Sequence, residues 1–157
     1  MSDLTLRRAT LADAQLVLDL IQTAFAEYRG KLKPDSSAYG ETPDGIAEQL
    51  AGRQGAVIAE RGGVAVGCVL YRDEGEDVYF GRLAVLPDHR RSGVAEALVG
   101  AVEAEARARG APGVLLGVRI VLTGNQRLFT RLGYVEISRE AHPGFSEPTS
   151  INMRKTL

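Results

Sequence analysis

The stretch 76–110, EDVYFGRLAVLPDHRRSGVAEALVGAVEAEARARG, changes hydrophobic period once, and that change constrains the fold more than any other feature of the chain. Residues 78–86 are apolar and β-prone, and Pro87 closes the run because it has no N–H to give to a sheet ladder. Beyond Gly93 the period becomes helical. Val94, Ala97, Leu98, Ala101, Val102 and Ala106 recur at three- and four-residue intervals, which places Glu96, Glu103, Arg107 and Arg109 on the opposite face. Gly110 is a helix stop, with Pro112 just beyond it. A strand therefore runs through a short basic loop straight into a long helix.

That loop reads Arg90-Arg91-Ser92-Gly93-Val94-Ala95. The first amides of a helix lack internal partners and sit at the positive end of its dipole, so they can receive an anion. Gly93 and Ala95 let a phosphate approach the backbone, and Arg90 and Arg91 add positive charge beside it. Two adjacent arginines there are unfavourable without an anion. The loop reads as a seat for a pyrophosphate, the alternative being a basic helix-start loop that holds no ligand.

The rest of the chain surrounds this unit. Residues 4–8 alternate as an edge strand, and Thr10 caps a helix over about 11–28 with Leu16, Leu20, Ile21, Ala24 and Phe25 as its apolar stripe. Residues 29–40 read as a loop, after which Thr42 and Pro43 start a short helix to about 51. Residues 56–60 and 64–71 are strands joined by Arg61-Gly62-Gly63, a hairpin signal. The acidic run 73–77 is a solvated turn, since its spacing is not that of a calcium loop. After the long helix, residues 114–119 form a strand that the crossover makes parallel to 78–86. Thr123 caps a helix ending at Gly133, and two strands over 134–138 and 149–156 flank a loop carrying His142, Pro143 and Phe145.

Composition sets the outer bounds. A chain of 157 residues with 45% hydrophobic and 25% charged content is one soluble domain, 1–157. A formal charge of −1 argues against general nucleic-acid binding. The lone Cys68 points to a reducing, cytoplasmic compartment. Neither a membrane span nor a signal-peptide core is expected, and two histidines with one cysteine offer no metal site. A nucleotide-binding doubly wound domain fits poorly, because neither Gly-x-Gly-x-x-Gly nor a Gly-Lys-Ser/Thr loop is present.

Arg90-x-x-Gly93-x-Ala95 after a Leu-Ala-Val strand resembles the acyl-CoA signature of the GNAT superfamily of N-acetyltransferases. Asn125, Phe129 and Leu132-Gly133-Tyr134 are similar to that family's second signature, so the resemblance covers essentially the whole chain. It implies an α/β fold: a mixed, mostly antiparallel sheet of about seven strands with a splayed parallel pair, flanked by about four helices. It further implies acetyl-CoA as co-substrate, a small-molecule or peptide amine as acceptor, and pairing as a homodimer as an open possibility. Arg90, Arg91, Ser92, Gly93, Val94 and Ala95 would hold the diphosphate. The backbone of Leu83, Ala84 and Val85 would pair with the pantetheine arm and offer an N–H to the oxyanion.

Proton transfer needs its own groups. An alkylamine with a pKa near 10.4 is only about one part in a thousand neutral at pH 7, so attack needs a base or a desolvated site. The tyrosine that often protonates the leaving thiolate in this family corresponds to Phe129, which has no hydroxyl. Phe129 packs against the pantetheine in this reading, or else marks a non-catalytic acyl-CoA-binding or sensing domain. Tyr79 is a candidate from the strand, its parity placing it with Gly81, Leu83 and Val85, or it is a half-buried aromatic. His142 is either a base near neutrality or a turn histidine. Glu41 serves the acceptor or the dipole of the helix after it. Glu27, Tyr28 and Tyr39 together suit an ammonium group, and His89 belongs to the phosphate rim. Asn125 bonds the pantetheine or caps its helix, and Arg127 and Arg131 reach phosphates or are simply solvated.

Overall fold

Seven strands form one mixed sheet in the computed structural model, which describes residues 3–157; Met1 and Ser2 of the expected 1–157 domain lie outside the described residues. They are β1 (Leu4–Arg8), β2 (Gly55–Arg61), β3 (Val64–Glu74), β4 (Asp77–Val85), β5 (Gly113–Arg119), β6 (Val135–Glu140) and β7 (Ser150–Thr156). Their spatial order is β1-β2-β3-β4-β5-β7-β6. Gly62 and Gly63 both take positive φ (60° and 82°), as a two-residue turn between twisted antiparallel strands requires. Among the described residues β4 and β5 are the parallel pair, joined through the crossover helix α3 (Val94–Ala108). This is the architecture the sequence leads one to expect, with helices α1 (Ala14–Phe25), α2 (Pro43–Leu50) and α4 (Thr123–Arg131) completing it.

Each sheet face carries its own core. Helices α1 and α2 pack on Ala56, Ile58, Cys68, Leu70 and Ala84, while α3 and α4 pack on Val66, Val78, Phe80, Val114, Leu116 and Met153. Burial of Cys68 among apolar groups pushes its thiol up to about 12, because a thiolate there would lose its hydration. No helix among the described residues is long and apolar enough to cross a membrane.

Four local expectations are corrected. The helix expected over 11–28 is broken: 3₁₀ turns at Leu11–Asp13 and Ala26–Tyr28 flank α1. Its entry is fixed by the Asp13 carboxylate, which accepts from the Thr10 N–H (2.8 Å) and from Arg7 (2.8 Å). Thr123 does not cap α4. Leu122 holds that position, and the Gln126 amide reaches back to the carbonyls of Arg119 (3.1 Å) and Ile120 (2.8 Å).

Glu103, assigned to the solvent face by periodicity, is buried instead. It accepts from the Tyr134 hydroxyl (2.9 Å) and from Lys155 (3.2 Å), side chains that reach it from the turn after α4 and from β7. Finally, the simple alternation assumed for 79–85 fails. Cys68 pairs with Ala84 but Leu70 pairs with Gly81, so Arg82 and Leu83 together oppose Val69 in a bulge, with Arg82 at φ 52°. Tyr79 and Gly81 face the α1–α2 side, and Leu83 and Val85 turn to the α3 side.

Candidate active site

Parallel pairing of β4 with β5 runs only from Val78↔Val114 to Phe80↔Leu116. Beyond that point residues 81–85 and 117–119 diverge, and one edge of β4 is left without a strand partner. The bulge at Arg82 is the local cause, since an extra residue bends the strand and raises its twist. The opening is a cleft of about 820 Å³ that runs from the start of α3 between the two strands to the loop between β6 and β7.

One end is the basic turn. Gly93 sits at the N-cap of α3 with φ 86° and no side-chain cap, so the N–H groups of Val94, Ala95 and Glu96 face the cleft unblocked. A Cβ at Gly93 would meet nothing within 4 Å. The turn is rigidly braced all the same. Arg90 donates to the carbonyls of Val85 (3.2 Å) and Ala24 (3.1 Å) and pairs with Glu27. Arg61, at the end of β2, donates to the Ser92 hydroxyl (3.2 Å), and that hydroxyl donates to the His89 carbonyl. Arg90 and Ser92 therefore shape the turn through neighbouring groups, and Arg91 and Arg127 line it as further cations. Arg131 is held by Glu96 (2.9 Å).

The middle of the cleft is apolar on the α3 side. Leu83, Val85, Leu122, Leu128 and Phe129 line it, with Asn125 above them on α4. Ala84 points the other way, into the α1–α2 core, so its contribution is backbone only. Phe129 is buried and edges against Phe80 (5.9 Å between centroids) and Tyr134 (6.3 Å).

The far side is polar. The Tyr79 ring lies under the Arg72 guanidinium (4.2 Å), and its hydroxyl comes within 3.3 Å of where a Cβ on Gly117 would stand. Asn152 approaches the same point at 3.6 Å. Glycine at 117 is therefore what lets Tyr79 lie across the split in the sheet. Glu27, Tyr28, Arg119, Glu140, His142 and Ser150 complete this end. Burial and the nearby Arg119 charge hold the His142 imidazole below its ordinary range, and its Nδ1 faces the Thr149 hydroxyl.

Two expected acceptor residues are committed elsewhere. Tyr39 donates its hydroxyl to the Phe25 carbonyl (2.6 Å) and lies under Arg29, away from the cleft lining. Glu41 accepts from Arg82 (3.1 Å) and opens on an adjoining hollow of about 420 Å³ shared with Gln49, Gln54 and Arg72. Arg61, Arg82 and Arg119 were not singled out by sequence. Only Arg82 carried a signal, as a charge inside an otherwise apolar strand. Among the described residues no cluster suited to a metal ion is found.

Comparison with known proteins agrees with this architecture. The profile of the acetyltransferase (GNAT) family matches residues 17–134. No curated protein matches the sequence significantly. Among solved structures, the PaiA N-acetyltransferase of Thermoplasma acidophilum in complex with coenzyme A superposes with TM-score 0.82 at 12% identity, covering 99% of each chain. A GCN5-related N-acetyltransferase of Rhodopseudomonas palustris gives 0.80 at 24% identity, covering 100% of this chain and 98% of its own. The ribosomal-protein-S18-alanine N-acetyltransferase of Escherichia coli gives 0.78 at 19%, covering 98% and 93%. At these identities the likeness is one of fold.

Proposed function

The chain belongs to the GNAT family of acetyltransferases, and from that premise we propose that it moves an acetyl group from acetyl-CoA directly to a primary amine of a small molecule, amino acid or peptide. The observation that carries this reading is the uncapped start of α3, opening into the gap between β4 and β5. The residues present fit the carrier: free amides and Arg91 and Arg127 at the diphosphate end, an apolar passage beyond, and polar groups at the exit. Acetyl-CoA, when bound, supplies the activated acyl group. The unpaired edge of β4 supplies an N–H to offset charge on a carbonyl oxygen under attack.

Tyr79 takes the proton-donor role in this reading, since Phe129 cannot. Tyr79→Phe keeps the ring under Arg72 and deletes only the hydroxyl. It is expected to lower kcat by about a hundredfold while leaving CoA affinity unchanged, as measured by thiol release and calorimetry. An unaltered kcat would remove Tyr79 from the mechanism.

His142 is the base. Its depressed pKa keeps the imidazole neutral and able to accept a proton at pH 7, and acidification below its folded-state pKa switches that capacity off. With an alkylamine acceptor, whose neutral fraction also rises with pH, log kcat/KM should climb with slope about two below the His142 pKa and about one above it. His142→Gln should show slope about one throughout. Retention of the steeper limb in that variant would point to another base.

The test of the whole reading is an acceptor screen that follows free thiol. Release with any amine supports it. Tight CoA binding without release from any amine would favour the sensing alternative that Phe129 raises. The cytoplasmic, homodimeric form is part of the same proposal: a buried free thiol at Cys68 suits a reducing compartment, and the edge strand β6 presents Val135 and Ile137 for pairing.

A further inference from the structure

The charges on the acceptor side do not all find partners. Glu27 neutralises Arg90, and Glu41 neutralises Arg82. Arg119, the last residue of β5, lines the same end of the cleft and meets only backbone carbonyls among the described residues: those of Pro34 (2.7 Å) and Asp35 (3.3 Å). The Asp35 carboxylate accepts from the Gly30 N–H (3.1 Å) instead of pairing with it. Two N–H groups of the guanidinium are used by those carbonyls, and of the five it has, the other three are left. A part-buried guanidinium with no ion pair is costly: burial weighs most against it here, the nearby Asp35 charge offsets that only in part, and the Arg82 charge adds to the cost. Neutral hydrogen-bonding groups, His142 and Ser150, stand on the same wall.

Building on the acetyl-transfer reading, we propose that the acceptor is an amine that also carries a carboxylate, and that Arg119 is the residue that reads it. The planar fork of a guanidinium matches the two oxygens of a carboxylate, and one negative charge balances the one cation left over. A dianionic phosphate would bring a second negative charge toward Glu140, which lines the same end and makes no ion pair with a lysine or arginine among the described residues. The position also explains why the contact would select rather than merely attract. Arg119 ties the segment around Pro34 to the end of β5, so a carboxylate bound there is held by a group whose place is already fixed.

The experiment compares matched acceptors by thiol release: leucine with isopentylamine, phenylalanine with phenethylamine, and 6-aminohexanoate with hexylamine. At least one pair is expected to favour the acid by about tenfold or more in kcat/KM referred to the neutral form of each amine, because an α-carboxylate by itself makes the amine less basic; that factor is the scale of a charge-assisted hydrogen bond. Arg119→Gln should erase that preference by raising KM for the acid relative to its amine partner, both read at alkaline pH where His142 is neutral with or without the Arg119 charge, and Arg119→Lys should restore part of it. Turnover of the amines with no preference for any acid would overturn the proposal and leave the transferase reading standing. Equal loss for both members of a pair in Arg119→Gln would reduce Arg119 to a loop clamp and overturn it too. Absence of release from every acceptor, with CoA still bound, would overturn the amine-transfer reading and this inference with it. Made per neutral amine, the comparison tests the carboxylate preference in the unaltered protein even where a variant folds poorly.

Discussion

Gly93→Glu is expected to weaken CoA binding by at least about a hundredfold in titration calorimetry while the protein still folds. A like charge placed against a bound anion costs several kcal/mol, and about 1.4 kcal/mol is a factor of ten in affinity. The new carboxylate would stand where the N–H groups of Val94, Ala95 and Glu96 emerge, and it would occupy the positive end of α3 itself. Two effects must be separated, because Gly93 also has φ 86°, where any side chain is strained. Gly93→Ala isolates the strain. Its Cβ would meet nothing within 4 Å, so its cost is the left-handed backbone alone, about 1–2 kcal/mol, or a few degrees in Tm for a chain of this length. CoA affinity in Gly93→Ala should therefore stay within roughly tenfold of the parent. Equal affinities for the glutamate variant and the parent would remove the diphosphate seat from this turn.

What the sequence disclosed and what it hid divide along one line. Features fixed by local chemistry were legible: the period change at Gly93, the Thr42 cap bonding the Gly45 N–H, and the Gly62-Gly63 hairpin all lie where residue type and spacing put them. The neighbours β2-β3-β4-β5 followed from hairpins and one crossover, whereas the insertion of β7 between β5 and β6 is set by long-range pairing that neither signal announces. The cleft's basic end was legible too, being one loop and one helix start. Its other end was legible only in part: Tyr79 and His142 were candidates, but Arg119, Glu140 and Ser150 were not. Arg119 and Tyr79 come from different strands, and Glu140, His142 and Ser150 arrive by way of a later loop and strand. Nothing local ties them together. The bulge at Arg82 adds a second difficulty, since one extra residue reverses which face Leu83 and Val85 occupy and a period-2 reading passes straight over it. Glu103 shows the same limit inside a helix. Amphipathic spacing separates a buried face from an exposed one, but it does not announce that Tyr134, in the turn after α4, and Lys155 of β7 will reach across as partners.

Phe129→Ala is expected to cost about 3–5 kcal/mol of stability, the range for emptying a buried aromatic site, and to lower Tm by roughly 10 °C. The ring is buried between Phe80 and Tyr134, and both edge-to-face contacts vanish with it. Phe80 belongs to the paired part of β4, and Tyr134 anchors the Glu103–Lys155 group against α3. The ring thus ties α4 to the paired part of β4 and, through Tyr134, to α3 beside the cleft. Some relaxation is available, because one side of Phe129 faces the cleft and not packed side chains, and that places the cost toward the lower end of the range. The pH–rate profile tells a packing residue from a proton donor. A phenyl ring transfers no proton, so the limb assigned to His142 and the effect of Tyr79→Phe should both persist in Phe129→Ala below its lowered Tm. Chemical denaturation that showed unchanged stability, together with a displaced pH–rate limb, would instead place Phe129 in contact with the reacting groups. The aromatic cluster would then be incidental to why this chain has phenylalanine at that position.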